Sequence, residues 1–126
     1  MTKNDVDLFE KLHAQLEGLY AEISALSKKS PTDGINKFKL KFINHILIEL
    51  NKFLKGEYRP FLDFETFEED DLPTNSDVIL ILSQYLNCME KLRADNIHLD
   101  MGRWYWIADG GKSSIRTAPP AKIKEK

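Results

Sequence analysis

The sequence predicts an all-α fold, a small bundle of three main helices. Two observations carry this prediction. Apolar residues step by four and three along 5–28 and again along 74–96, which is the spacing of one helical face. Between these segments, the apolar residues of 35–55 cover more than half of a helical circumference. We therefore expect the second helix to be central and covered on several sides.

The first helix is predicted over 5–28, with a narrow apolar stripe facing the core. That stripe consists of Leu12, Leu16, Leu19, Ile23 and Leu26. The helix should stop in the following segment, because Pro31 lacks a backbone donor and Gly34 loosens the chain.

The second helix is predicted over 35–55, with Thr32 or Asp33 as its N-cap and Gly56 just past its end. Phe42 and Ile46 lie near the centre of its apolar arc when residues are placed 100° apart. Both are therefore predicted to be buried.

A long acidic loop is predicted over 57–75, pinned by its own aromatic side chains. Thr74 lies at the end of this loop, with Asp77 three residues later. This pair resembles a capping box that opens the third helix.

The stretch RWYWI, 103–107, is predicted to be a C-terminal aromatic extended arm or one edge strand. Trp104 and Trp106 should point to one side and Tyr105 to the other. At least one tryptophan is expected to close the core, since its burial removes a large apolar area from water. The alternative is an exposed platform on which single-stranded nucleic acid stacks.

The domain is predicted to span 1–109, because 126 residues fit one domain. The basic, proline-containing segment 110–126 offers little apolar area and is predicted to be disordered. No apolar run is long enough for a membrane span, and the polar N-terminus does not read as a signal peptide. A single cysteine, Cys88, excludes an internal disulfide and a cysteine-rich metal cluster. We expect a cytoplasmic protein without metal or cofactor.

Arg93 and His98 are separated by four residues in the stretch RADNIH. This spacing resembles the Arg-x4–6-His motif of HEPN domains, small all-helical proteins of which many are ribonucleases in toxin–antitoxin and defence systems. The resemblance implies that Arg93 would bind the scissile phosphate and that His98 would serve in acid–base chemistry or positioning. A regular helix places such residues about 140° apart, so they converge only if the helix breaks or a second copy contributes.

The function predicted from these features is that of a non-enzymatic helical protein–protein interaction module, an accessory subunit, adaptor or regulator. A HEPN-like ribonuclease is the alternative, and the sequence leaves enzymatic activity open. Two segments are the expected partner-binding sites: Glu68, Glu69, Asp70 and Asp71 in the acidic loop, and Trp104, Tyr105 and Trp106 in the arm. The expected partner is another protein. Leftover apolar helix surface also suggests a homodimer, and the net charge of −2 argues against nucleic acid without excluding it.

Overall fold

The computed structural model describes residues 1–121 and shows three long helices followed by a three-stranded sheet. The helices are α1 (Lys3–Lys29), α2 (Lys37–Tyr58) and α3 (Asn75–Asp95). The strands are β1 (Ile97–Asp100), β2 (Arg103–Ala108) and β3 (Gly111–Arg116), in the order β1-β2-β3 and antiparallel throughout. The prediction of an all-α fold is therefore wrong, and the fold is α+β.

The three predicted helices are present, and their starts follow from local hydrogen bonding. Thr2 and Asp5 form a capping box at the start of α1, and Thr74 and Asp77 form the predicted one at the start of α3. Asn36 caps α2 through the Lys39 amide, in place of the predicted Thr32 or Asp33.

The end of α2 also differs from the prediction. Lys55, and not Gly56, has a positive φ, of 55°, so the helical path is interrupted there before it ends at Tyr58. Lys55 is therefore a local conformational exception within an otherwise regular segment.

The sheet is a meander closed by two tight turns. Met101 and Gly102 form the first turn, and Asp109 and Gly110 the second, with all four residues at positive φ. This is the backbone signature of two-residue type I′ hairpins. β3 lies inside the segment 110–126 that the sequence predicted to be disordered, so that prediction is wrong for 111–116. Residues 122–126 lie outside the described part of the chain.

The sheet packs onto the helical layer through its inner face. Trp106 is fully buried there and meets the Phe9 ring of α1 edge-on, at 4.9 Å between centroids. Two backbone hydrogen bonds also hold β2 and its following turn to neighbouring segments. The Ile107 amide donates to the Asn96 carbonyl at 2.7 Å, and the Asp109 amide donates to the Met1 carbonyl at 2.8 Å. The prediction that at least one tryptophan closes the core is confirmed.

The core lies between α1 and α3, which make the most extensive helix–helix contact, and α2 packs against both. Its fully buried side chains come from all three helices and β2: Val6, Phe9, Leu16, Ile23, Ile43, Leu47, Leu50, Leu54, Leu82, Tyr85, Met89 and Trp106. The second helix is thus not the covered centre of the bundle. One of its faces is open to solvent.

Phe42 is the clearest consequence of this arrangement. Its side chain is 47% exposed, whereas Ile46, one turn later, is buried as predicted. The apolar pattern is wide enough to run past the edge of the contact made by α1 and α3. The burial predicted for Phe42 is therefore wrong.

We expect Phe42→Ala to change the free energy of unfolding by less than about 1 kcal/mol, since substitutions at exposed positions cost little. Leu47→Ala, on the buried side of the same helix, should cost about 2–5 kcal/mol. Urea unfolding at a concentration where the chain is monomeric measures both. Equal losses for the two variants would show that Phe42 belongs to the core.

Candidate functional site

Arg93, the first residue of the RADNIH motif, lies in a buried polar cluster on the inner side of α3. Its guanidinium Nη1 is 2.9 and 3.0 Å from the two carboxylate oxygens of Glu90, and its Cζ lies 5.2 Å from the Phe9 ring centroid. Glu90 also contacts His13 Nε2 at 2.6 Å, and Glu17 contacts His13 Nδ1 at 3.0 Å. The Arg93 guanidinium is thus already in contact with the Glu90 carboxylate and the face of the Phe9 ring.

Glu90 is the central carboxylate of this cluster, which we call the Glu90 cluster: His13, Glu90 and Arg93. Burial alone would raise the pKa of Glu90. The hydrogen bond from His13 and the charge of Arg93 outweigh that effect, so the pKa of Glu90 is lowered. The cluster holds α1 to α3 through an ionised carboxylate.

His98 lies on β1 and faces away from this cluster. Its neighbour Ile97 points into the core opposite Trp106, so His98 points to the outer face of the sheet, opposite Tyr105. The structure therefore does not bring Arg93 and His98 together within one chain. Since the Arg93 side chain is only 6% exposed, it is also not presented to a second copy.

The outer face of the sheet carries a row of stacked side chains across all three strands. His98, Tyr105 and Arg116 occupy directly opposed positions on β1, β2 and β3. The His98 ring stacks on Tyr105 at 5.7 Å between centroids and 27° between planes. The Arg116 guanidinium lies 5.9 Å from the Tyr105 centroid. Because β1 and β3 flank β2 on opposite sides, both faces of the tyrosine ring have a neighbour.

A cleft of about 390 Å³ opens beside this row. Its lining is largely polar: His98, Leu99, Asp100, Tyr105, Lys112, Ser113 and Ser114. The strand register is irregular between Tyr105 and Ile107, and the Ser113 hydroxyl donates to the Trp106 carbonyl at 2.6 Å. This bond fixes the irregular part of β3 that forms one wall of the cleft.

The charge of the outer face is mostly positive. Arg103, Lys112 and Arg116 are exposed cations on β2 and β3, and Asp100 on β1 is the carboxylate opposite Arg103. Together with the row and the cleft, these side chains form what we call the outer sheet face. It can bind an anionic group by charge and by hydrogen bonds from arginine.

The three aromatic residues predicted as one binding arm are divided between two faces. Trp104 and Trp106 point inward, and Tyr105 points outward, which confirms the predicted alternation. Trp104 is half-buried against the core, and Trp106 Nε1 donates to Glu10 at 3.2 Å. Only Tyr105 contributes to the outer sheet face.

The predicted acidic site is an exposed turn. Glu69, Asp70 and Asp71 form a single 3₁₀ turn that Glu68 precedes, and Lys37 of α2 pairs with Glu69 at 2.9 Å. The loop that carries it is anchored on α2, where the Asn44 side chain bonds both backbone groups of Phe67. The acidic turn is therefore next to α2 and shares no contact with the outer sheet face.

The remaining chemically notable residues have structural surroundings. His13 is buried, because Glu90 lies on the side of its ring opposite Glu17. Cys88 is half-buried, and burial raises the pKa of its thiol, which disfavours the reactive thiolate. Across residues 1–121 the structure contains no cluster of three or more histidine, cysteine, aspartate or glutamate side chains suited to a metal.

No helix within the described residues is both long enough and apolar enough to cross a bilayer. Comparisons with protein-family models, curated proteins and solved structures find no match for this chain.

Proposed function

We propose that this protein is a non-enzymatic interaction module that binds an acidic, extended segment of another protein on its outer sheet face. The observation that carries this proposal is the row formed by His98, Tyr105 and Arg116 beside a polar cleft and two further cations. In this row Arg116 is exposed, while His98 and Tyr105 are half-buried, on a sheet face that is turned away from the core.

Charge favours an acidic partner segment. Three of the four charged residues on this face are cations, and the outermost two, Lys112 and Arg116, lie on β3. β3 is also an edge strand, so its outward backbone groups are free to pair with an added strand. An extended peptide with carboxylates on alternate residues would meet both the strand edge and the cations.

A single-stranded nucleic acid is less well suited to this face. Base stacking needs an open aromatic face, and both faces of the Tyr105 ring are already in contact with His98 and Arg116. Trp104 and Trp106 face the core and offer no platform.

The ribonuclease alternative requires Arg93 and His98 to reach one phosphate. Arg93 is held in the Glu90 cluster and His98 lies on the opposite side of the sheet, so no observation favours that function. We therefore do not propose it.

The binding proposal is tested with a fluorescein-labelled peptide of alternating valine and glutamate, followed by fluorescence anisotropy. The double variant Lys112→Glu/Arg116→Glu should weaken binding by about tenfold or more, since two attractive charges become repulsive. Lys11→Glu/Lys28→Glu on α1 makes the same change in net charge at a remote surface and should leave binding within about twofold.

Two results would overturn the proposal. One is the absence of binding to the wild-type protein at low salt. The other is preferential binding of a single-stranded oligouridine probe, lost in the Lys112/Arg116 variant, which would make nucleic acid the ligand of this face.

A further inference from the structure

The exposed side of α2 carries an apolar stripe that the described residues of the chain leave uncovered. Phe38 is 71% exposed, Phe42 47% and Ile48 43%. The two phenylalanine rings are in edge-to-face contact, at 5.0 Å between centroids and 72° between planes. Such neighbouring exposed aromatics are typical of protein contact surfaces.

The stripe has a specific order of residues around His45. Phe42 and Ile48 lie three residues before and after it, and Lys41 and Glu49 lie four residues before and after it. At 100° per residue, all five lie on the same open arc of the helix. A cleft of about 420 Å³ runs along this arc between Lys41, Phe42, His45 and Ile48.

We infer that the exposed face of α2 is a homodimer interface in which two copies of this helix pack antiparallel around a two-fold axis near His45. In that arrangement a residue before His45 in one copy lies level with the residue equally far after it in the other. Lys41 then lies level with Glu49 of the second copy, and Phe42 lies level with its Ile48. The two-fold axis makes each pairing occur twice.

The charges favour a second copy over an unrelated partner. Lys41 has no carboxylate partner within the described chain, and Glu49 has only a long exposed contact with Lys52, at 3.7 Å. Both groups are therefore available for pairing between chains. The loop over 59–73 is anchored on the neighbouring side of α2 through Asn44 and Asn51, so it leaves this arc open.

This inference uses a different surface from the outer sheet face and does not depend on the proposed function. It agrees with the homodimer expected from the sequence, and it specifies the helix and the residues that form it.

Charge reversal provides the test, with sedimentation equilibrium of the full chain as the measurement. The wild-type protein should show a reversible monomer–dimer equilibrium. Lys41→Glu and Glu49→Lys should each weaken dimerisation by about tenfold or more, because each places two like-charged pairs in the interface. The double variant Lys41→Glu/Glu49→Lys should return to within about threefold of wild type, since it restores both pairs with reversed sign.

A matched control is Lys11→Glu on α1, which should leave the equilibrium unchanged. Circular dichroism melting verifies that the single variants fold, as expected for exposed positions. The inference is overturned if the wild-type chain stays monomeric at high concentration, if neither single variant weakens association, or if the double variant is as weak as the singles. The double variant can restore dimerisation only if Lys41 of one copy pairs with Glu49 of the other, because both substitutions are then present on both sides of the interface.

Discussion

Replacing Glu90 with alanine is expected to lower the free energy of unfolding by about 3–5 kcal/mol, the range for removing one partner of a buried ion pair. The change leaves the Arg93 guanidinium and the His13 ring buried without their common carboxylate. Small domains are stable by only about 5–15 kcal/mol, so this loss is a large fraction of the total stability. Urea unfolding at neutral pH measures the change.

Glu17→Ala is the matched control, because Glu17 contacts the same histidine from the solvent side. The Glu17 side chain is 62% exposed and that of Glu90 is 14%. Removing the exposed contact should cost no more than about 1 kcal/mol. A similar loss for both variants would show that burial of the carboxylate does not govern the stability of this cluster.

The same residue should give the protein a pH dependence with a defined sign. The folded-state pKa of Glu90 lies below its ordinary value of 4.5. Its stabilising effect is therefore complete above pH 4.5 and is lost as the pH falls through the folded-state pKa. The stability difference between wild type and Glu90→Gln should shrink over that acidic range. A difference that stays constant down to pH 3 would contradict an ionised Glu90.

The helices could be predicted because their signals are local. The four-and-three spacing in α1 and α3 and the pair Thr74–Asp77 depend on residues within one helix, and both were confirmed. The Glu90 cluster could not be found in the same way. His13 and Glu90 are 77 residues apart, and each has charged helix neighbours that suggest ordinary surface pairs.

The sheet was missed although one strong signal was present. Asp109-Gly110 is a favoured type I′ turn, and the aromatic strand precedes it. The strands on either side are harder to recognise, since β1 has four residues and β3 is mostly polar. Pairing with β2, and not the composition of β1 and β3 themselves, determines their extended conformation.

The outer sheet face depends on that missed topology. Tyr105 and His98 were singled out from the sequence for separate reasons, as part of an arm and as part of a motif. Only the pairing of β1 with β2 makes them neighbours. Likewise, the periodicity of α2 shows where each apolar residue lies on the helix. It does not show whether another element covers that residue. For this reason the sequence predicts a buried Phe42, although the structure leaves it exposed.

Trp106→Ala is expected to destabilise the fold by about 3–5 kcal/mol, the range for truncating a large buried aromatic. The side chain is fully buried, so the change leaves a cavity beside Phe9 and removes the hydrogen bond to Glu10. Trp104→Ala, two residues earlier on the same face, should cost clearly less because Trp104 is only half-buried. Thermal and urea unfolding of the two variants measure this difference.

Truncation separates the contribution of the sheet from that of the residues after it. A chain ending after Ala121 keeps every described contact and should melt as the wild type does. A chain ending after Gly111 should melt lower, because it loses β3 and the contact of Ile115 with the core. This outcome is the opposite of that expected for a disordered tail. A chain ending after Gly102 loses Trp106 as well and should be the least stable of the three. If that chain and Trp106→Ala both melted like the wild type, the helices would form the core alone and the tryptophan would be free to serve a partner.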